Sequence, residues 1–151
     1  MPTRLSRRLL GGLTPARFLT LHWQKRPLLV RQASEGFRGL LDPAGLMRLA
    51  QRDDAESRLV IRRKSAWEVH HGPFAASLFA RLPKTGWSLL VQDVNHFLPS
   101  ARQLLSRFDF APHARLDDLM VSYAPPGGGV GPHFDSYDVF LLQGLGKRRW
   151  Q

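Results

Sequence analysis

Cysteine is missing from all 151 residues, which excludes disulfides, zinc–thiolate sites and thiol nucleophiles. That usage suits a cytoplasmic protein. Long apolar runs are missing too. The longest, such as Val139 to Leu142, are the length of core strands and fall far short of the roughly 18 residues a membrane helix needs. The basic N-terminus MPTRLSRRLLGGL is interrupted at Gly11-Gly12, so it lacks the roughly 7–15-residue apolar core of a secretory signal. Acidic residues are scarce, 12 against 22 Lys and Arg, for a net charge of +10. A field of that sign favours anionic partners, RNA and ribosomal surfaces first among them. The cations are nevertheless dispersed (Arg4, Arg7, Arg8, Arg62, Arg63, Lys64, Lys147, Arg148, Arg149) and are not framed by a recognisable nucleic-acid module. With 43% hydrophobic residues, what is there suffices for one ordinary domain with a real core.

Thr14-Pro15 predicts a helix start, with Thr14 as cap and a helix through Phe18, Leu21 and Trp23 that stops before Pro27. Leu28 to Arg31 is expected as a short strand. Asp42-Pro43 opens a second helix through Leu46, Leu49 and Ala50. RLVIRR (58–63) and AWEVH (66–70) are close enough to form a hairpin. A short helix over 74–80, a strand over 86–94, a helix over 99–108 and a strand over 117–124 follow. His133 to Gln143 is expected as a further strand, Gly144-Leu145-Gly146 as a tight turn, and KRRWQ as the start of a returning strand. Helices gather early and strands late, the pattern of an α+β fold with an antiparallel sheet leaning toward a jelly roll. Because the last strand is cut short at Gln151, the chain is expected to be a piece of something larger.

The chemistry concentrates in GPHFDSYD (131–138). Residues two apart on a strand share a face, so His133 and Asp135 can offer an imidazole nitrogen and a carboxylate oxygen to one ion. Two histidines and one carboxylate on one face of an octahedron hold non-haem Fe(II) with positions open for substrate and oxygen. The pair by itself decides little: with 6 His and 9 Asp in the chain, chance supplies roughly a third of a His-x-Asp. Its setting adds weight. Pro125-Pro126-Gly127-Gly128-Gly129 lets backbone come near a ligand, although a plain surface hairpin would carry the same loop. Arg148 and Trp150 share one strand face, Lys147 and Arg149 the other. An arginine beside an aromatic can clamp a small carboxylate, and a solvated basic edge strand is the competing reading. His70 and His71, adjacent on a strand, face opposite ways and are expected to be structural, as are His96 and His113.

DDLMVSYAPPGGGVGPHFDSYDVFLLQGLGKRRWQ (117–151) resembles the core of the JmjC/cupin-type, 2-oxoglutarate-dependent ribosomal oxygenases, most of all the bacterial branch that hydroxylates an arginine of a large-subunit ribosomal protein. HWQKRPLLVRQA (22–33), SRLV (57–60), HGPF (71–74) and WSLLVQDVNH (87–96) extend the likeness over most of the chain. The resemblance implies an α+β N-terminal region (1–85) leading into the first strands of a double-stranded β-helix catalytic core (86–151). It implies His133 and Asp135 as iron ligands and Arg148 as the partner of the distal carboxylate of 2-oxoglutarate. Asp118, Met120 and Tyr137 would line the pocket for the target arginine. A buried guanidinium does need a carboxylate such as Asp118, and Tyr137 can stack on it. Asp117-Asp118 as a turn cap and Met120 as core are the plain alternatives. The implied metal is Fe(II), for which manganese, cobalt or nickel can substitute, and the cosubstrates are 2-oxoglutarate and oxygen. The implied product is an arginine hydroxylated on its β-carbon. The family's third ligand is a histidine on a later strand, expected beyond Gln151 together with the closing strands and the C-terminal dimerisation and winged-helix regions. The 151 residues alone are therefore expected to be inactive, and the intact protein to be a cytoplasmic homodimer with no membrane partner. A histidine hydroxylase or demethylase of the same family, or a non-catalytic ribosome-associated module, remain the competing readings.

Overall fold

The computed structural model describes residues 8–64, 66–108 and 110–150. They fall into two units: one is Leu40–Ala101 with Asp118–Phe134, the other Met1–Gly39 with Arg102–Asp117 and Asp135–Gln151.

The first unit is built on a four-stranded antiparallel sheet of order β2-β1-β3-β4, from β1 (Ser57–Arg63), β2 (Ala66–His71), β3 (Trp87–Val91) and β4 (Val121–Tyr123). Branched and apolar residues bias β1 and β3 toward extended backbone, and the register places Leu59 opposite Leu89 and Ile61 opposite Trp87. These side chains share one face and form a buried cluster with Leu46, Ala50, Phe74, Val94 and Ala101. Every residue of β3 is buried, the polar Ser88 among its apolar neighbours included. The edge strand β2 has five exposed residues of six. Of the helices beside the cluster, the first starts where the sequence signals it, the expected 74–80 helix forms as Ala76–Arg81 without a side-chain cap, and a helix at Val94–Phe97 replaces the end of the expected 86–94 strand. Asp42 Oδ1 accepts the Gly45 amide at 2.6 Å ahead of α2 (Pro43–Leu49), with Pro43 in the first turn; α3 (Ala76–Arg81), α4 (Val94–Phe97) and α5 (Pro99–Leu105) follow.

The second unit carries α1 (Pro15–Leu21), capped by Thr14 Oγ1 on the Arg17 amide at 3.3 Å. Its core is aromatic: Phe18 lies 5.9 Å from Phe110 and 5.8 Å from Phe140, and Phe108 sits 4.7 Å from Phe140 between ring centroids. The expected extension of α1 to Trp23 does not form. The amides of His22 and Trp23 both turn to the Phe18 carbonyl, Lys25 Nζ and Arg26 Nε bond the Thr20 and Leu21 carbonyls, and Gln24 adopts φ 54. A left-handed residue after carbonyls already capped by side chains ends a helix.

Mixed helix and antiparallel sheet is the expected class, and three expected strands are absent from it. Leu28–Arg31, His133–Gln143 and Lys147–Trp150 are irregular, and Gln151 lies outside the described residues. The expected strand over 117–124 ladders only as Val121–Tyr123, on β3. A strand exists by virtue of a neighbour that takes its amides and carbonyls, and among the described residues these segments have no ladder partner. Helix 99–108 changes to 3-10 geometry at Ser106–Phe108. The Gly144–Gly146 turn is present as a bend, with Gly146 at φ 67 and Gln143 Nε2 on the Leu145 carbonyl at 2.6 Å.

Candidate metal and cosubstrate site

The glycine-rich loop after β4 is fastened at several points to the sheet that precedes it. Within it, the Gly128 amide bonds the Pro125 carbonyl at 2.9 Å, and the Gly86 amide, just ahead of β3, bonds the Pro126 carbonyl at 3.0 Å. A side chain on Gly128 would put its Cβ 2.0 Å from the Trp87 carbonyl oxygen, so backbone lies where a Cβ would have to be. Gly131, at φ 77, passes so near the Trp67 indole that a Cβ there would stand 2.8 Å from Nε1. These two positions therefore require glycine. Trp67 belongs to β2 and forms the floor under the loop.

His133 follows immediately. Its Nδ1 lies 2.9 Å from the Gly131 carbonyl oxygen. A carbonyl can only accept, so this contact places the proton on Nδ1 and the lone pair on Nε2. That tautomer is the one a metal-ligating imidazole uses when its other nitrogen is held by backbone. The donor chemistry thus fits a divalent ion: His133 Nε2 and the Asp135 carboxylate, both on exposed residues, are ligand types that suit Fe(II) and its common substitutes. Among the described residues no group of three His, Asp or Glu gathers to hold a metal ion.

The remaining expected residues are placed as follows. Arg148 lies with its guanidinium carbon 5.7 Å from the Trp150 ring centroid, so the two do share a side, as alternation predicts, although the backbone there is irregular. Tyr137 is 71% exposed and Met120 is 42% exposed, so Met120 is not core. Asp118 accepts the Asp93 amide through Oδ2 at 2.9 Å, beside Leu119, whose amide bonds Asn95 Oδ1 at 2.8 Å. Asp118 thus braces the turn after β3, where Asp93 adopts φ 53. His70 and His71 stand opposite Leu59 and Arg58 on alternate faces of β2. Sequence reasoning missed Trp67 as the floor of the loop and Asn95 as a brace. The first was signalled by the need of a glycine-rich turn for something large to pack against.

Residues 103–151 match the JmjC domain family, a span that contains every candidate residue from Asp118 to Arg148. Over 134 residues the chain is 46% identical to the ribosomal protein uL16 3-hydroxylase of Escherichia coli, covering 89% of this chain and 35% of that protein. It is 44% identical over 140 residues to a probable ribosomal oxygenase of Haemophilus influenzae, covering 92% of this chain and 34% of that one. Its structure matches that of the ribosomal oxygenase YcfD from Escherichia coli in complex with cobalt and 2-oxoglutarate, with a TM-score of 0.77 and 43% identity over 83% of this chain and 34% of that one. The likeness to the JmjC domain family is carried by residues 103–151. The chain spans about a third of the length of the relatives it matches.

Proposed function

We propose that the protein is the site-bearing part of an Fe(II)- and 2-oxoglutarate-dependent oxygenase that hydroxylates an arginine side chain, at its β-carbon, in a large-subunit ribosomal protein. The observation that carries this reading is the family match over 103–151, a span that includes Asp118, Met120, His133, Asp135, Tyr137 and Arg148. His133 Nε2 and the Asp135 carboxylate hold the metal, and a histidine outside these 151 residues completes the set. Arg148 binds the distal carboxylate of 2-oxoglutarate with its planar fork, oriented by the Trp150 face. Asp118, Met120 and Tyr137 line the arginine pocket: the carboxylate offsets the guanidinium charge, and Met120 and Tyr137 offer exposed surface for its aliphatic stem.

Bound iron and cosubstrate supply the oxidising chemistry, in which 2-oxoglutarate and oxygen become succinate and carbon dioxide as one oxygen atom enters a C–H bond. This chain's residues orient and hold the groups. The Gly131 carbonyl accepts from His133 Nδ1 and so orients the imidazole ring. Residues 1–85 act as the N-terminal α+β region and 86–151 as the opening of the catalytic core. The intact protein works in the cytoplasm, as a dimer formed through its C-terminal region and close to ribosomal RNA.

The reading is tested by mass spectrometry of ribosomal proteins from cells with the intact gene, without it, and with His133→Ala. The expected result is one arginine heavier by a single oxygen atom, present only with the unaltered gene. The same shift on a histidine would overturn the substrate assignment, and its absence would overturn the enzyme reading. Supplied with 2-oxoglutarate and an arginine peptide, the 151 residues alone are expected to show no coupled turnover.

A further inference from the structure

The four-stranded unit is electrically polarised along its strands. At one end Ser57 pairs with Val91 and Val91 with Val121. Asp53, Asp54, Glu56, Asp93 and Asp118 lie in the chain segments there, tied by the Gln92 amide on the Glu56 carbonyl and the Asp93 amide on Asp118, with Arg52 paired to Asp54 and Arg58 to Gln92. The opposite end is basic. Arg62, Arg63 and Lys64 form the β1–β2 hairpin tip, Arg81 sits in the last turn of α3, and Lys84 lies in the loop entering β3. The Arg62 amide donates to the Gly86 carbonyl at 2.8 Å, and the Trp87 indole donates to the Pro83 carbonyl at 2.7 Å, which holds that loop against the hairpin. All five cations are exposed. Glu68 is the carboxylate among them, and it lies 3.5 Å from Arg63. Seven residues of β1 at about 3.3 Å each separate the two ends by about 20 Å, well beyond the screening length of about 8 Å at physiological salt. The acidic end therefore does not cancel the field of the basic one.

We propose that this basic end docks the phosphate backbone of RNA. The proposal deepens the ribosomal reading above and rests on it, since a ribosomal-protein substrate is surrounded by RNA phosphates. The loop leading to His133 starts at the same end, through Gly86 and Pro126, so a bound strand lies beside the glycine-rich loop. A membrane is the poorer occupant: Arg63, Lys64 and Ala66 at the tip offer no large apolar side chain to insert between lipids. The exposed Arg62 guanidinium stands 5.8 Å from the Trp67 ring centroid, a contact that keeps this cation at the base of the hairpin.

The test is equilibrium binding of the 151-residue chain to a labelled single-stranded ribosomal RNA fragment across a salt series. The quadruple variant R62Q/R63Q/K64Q/K84Q is expected to flatten the slope of log affinity against log salt by about 3, at about 0.7 for each phosphate left without its cation. Glu68→Gln is expected to tighten binding several-fold. R17Q/R31Q/R38Q/K147Q, which removes the same charge from exposed positions in the other unit, is expected to leave most of the slope. Equal losses in the two quadruple variants would reduce the effect to net charge and overturn the proposal. So would an E68Q variant no tighter than the parent, or stronger retention on phosphatidylserine vesicles or a polyglutamate peptide than on RNA. RNA binding that survives while no ribosomal arginine is hydroxylated would remove the enzyme reading and leave the surface standing.

Discussion

Replacing Gly131 by alanine tests the structural basis of the His133 tautomer. Two penalties add at this position. Holding a residue with a Cβ at φ 77 costs about 1–2 kcal/mol. The new Cβ would also meet Trp67 Nε1 at 2.8 Å, Cε2 at 3.0 Å and Cδ1 at 3.2 Å, three atoms of a rigid ring, and overpacking of that kind costs about 1–3 kcal/mol. Gly131→Ala is therefore expected to destabilise the chain by about 2–5 kcal/mol in urea unfolding. Because the Gly131 carbonyl moves with the strain, 15N imidazole shifts should also show His133 losing its preference for the Nδ1-protonated form. The two penalties separate in a double-mutant cycle with Trp67→Ala. Without the ring only the backbone penalty remains, so the coupling between the sites should be about 1–3 kcal/mol. A cost below about 1 kcal/mol would refute the reasoning. An unchanged cost in the W67A background would show that Trp67 is not the floor of the loop.

Leu89→Ala, at the fully buried centre of β3, should lower stability by about 3–5 kcal/mol with an unchanged urea slope. Asp42→Ala removes the acceptor of the Gly45 amide and should cost about 1 kcal/mol in the same measurement. The Asp54 carboxyl is held below its usual range by the Arg52 side-chain hydrogen bond, with contacts at 2.7 and 2.6 Å. A lowered carboxyl pKa contributes stability that is present above the unfolded value, about 3.9, and is lost as pH falls through the folded one. Asp54→Asn should thus lower the melting temperature at pH 7 and make no difference near pH 2, as read by thermal unfolding across pH; a deficit persisting in acid would refute the linkage.

Caps, hairpin and the buried strand could be read locally because their causes are local: Thr14 and Asp42 accept amides three residues on, and β3 announces itself by a mostly apolar segment, Trp87–Val91, that stays buried on both faces. What failed to form was the set of strands whose causes are distant. His133–Gln143 alternates as a strand should, yet alternation states only a preference for extended backbone, and ladders come from partners. The site was legible in the same uneven way. Arg148 and Trp150 do lie side by side, since residues two apart meet even on an irregular extended chain. Asp118 was legible as a carboxylate near the turn, while its bond to the Asp93 amide depended on the left-handed backbone at Asp93, which no composition rule signals. Trp67 escaped notice because its importance lies in what packs on it, residues more than sixty positions later.

Trp67 joins the two readings of this unit. One side of the indole faces the loop that sets the His133 tautomer, with Gly129 and Gly131 both in reach of the ring; the Arg62 guanidinium stands 5.8 Å from its centroid, at the base of the basic hairpin. Arg62 and Trp67 are cross-strand neighbours in register, so the contact is built into the hairpin and needs no further element to hold it. The hairpin therefore serves two roles from one pair of residues: it offers cations at its tip, and at its root it supplies the flat surface that forces glycine at 131. With Trp67 in β2, the register places position 62 opposite it. The position of the basic end relative to the glycine-rich loop thus follows from strand register.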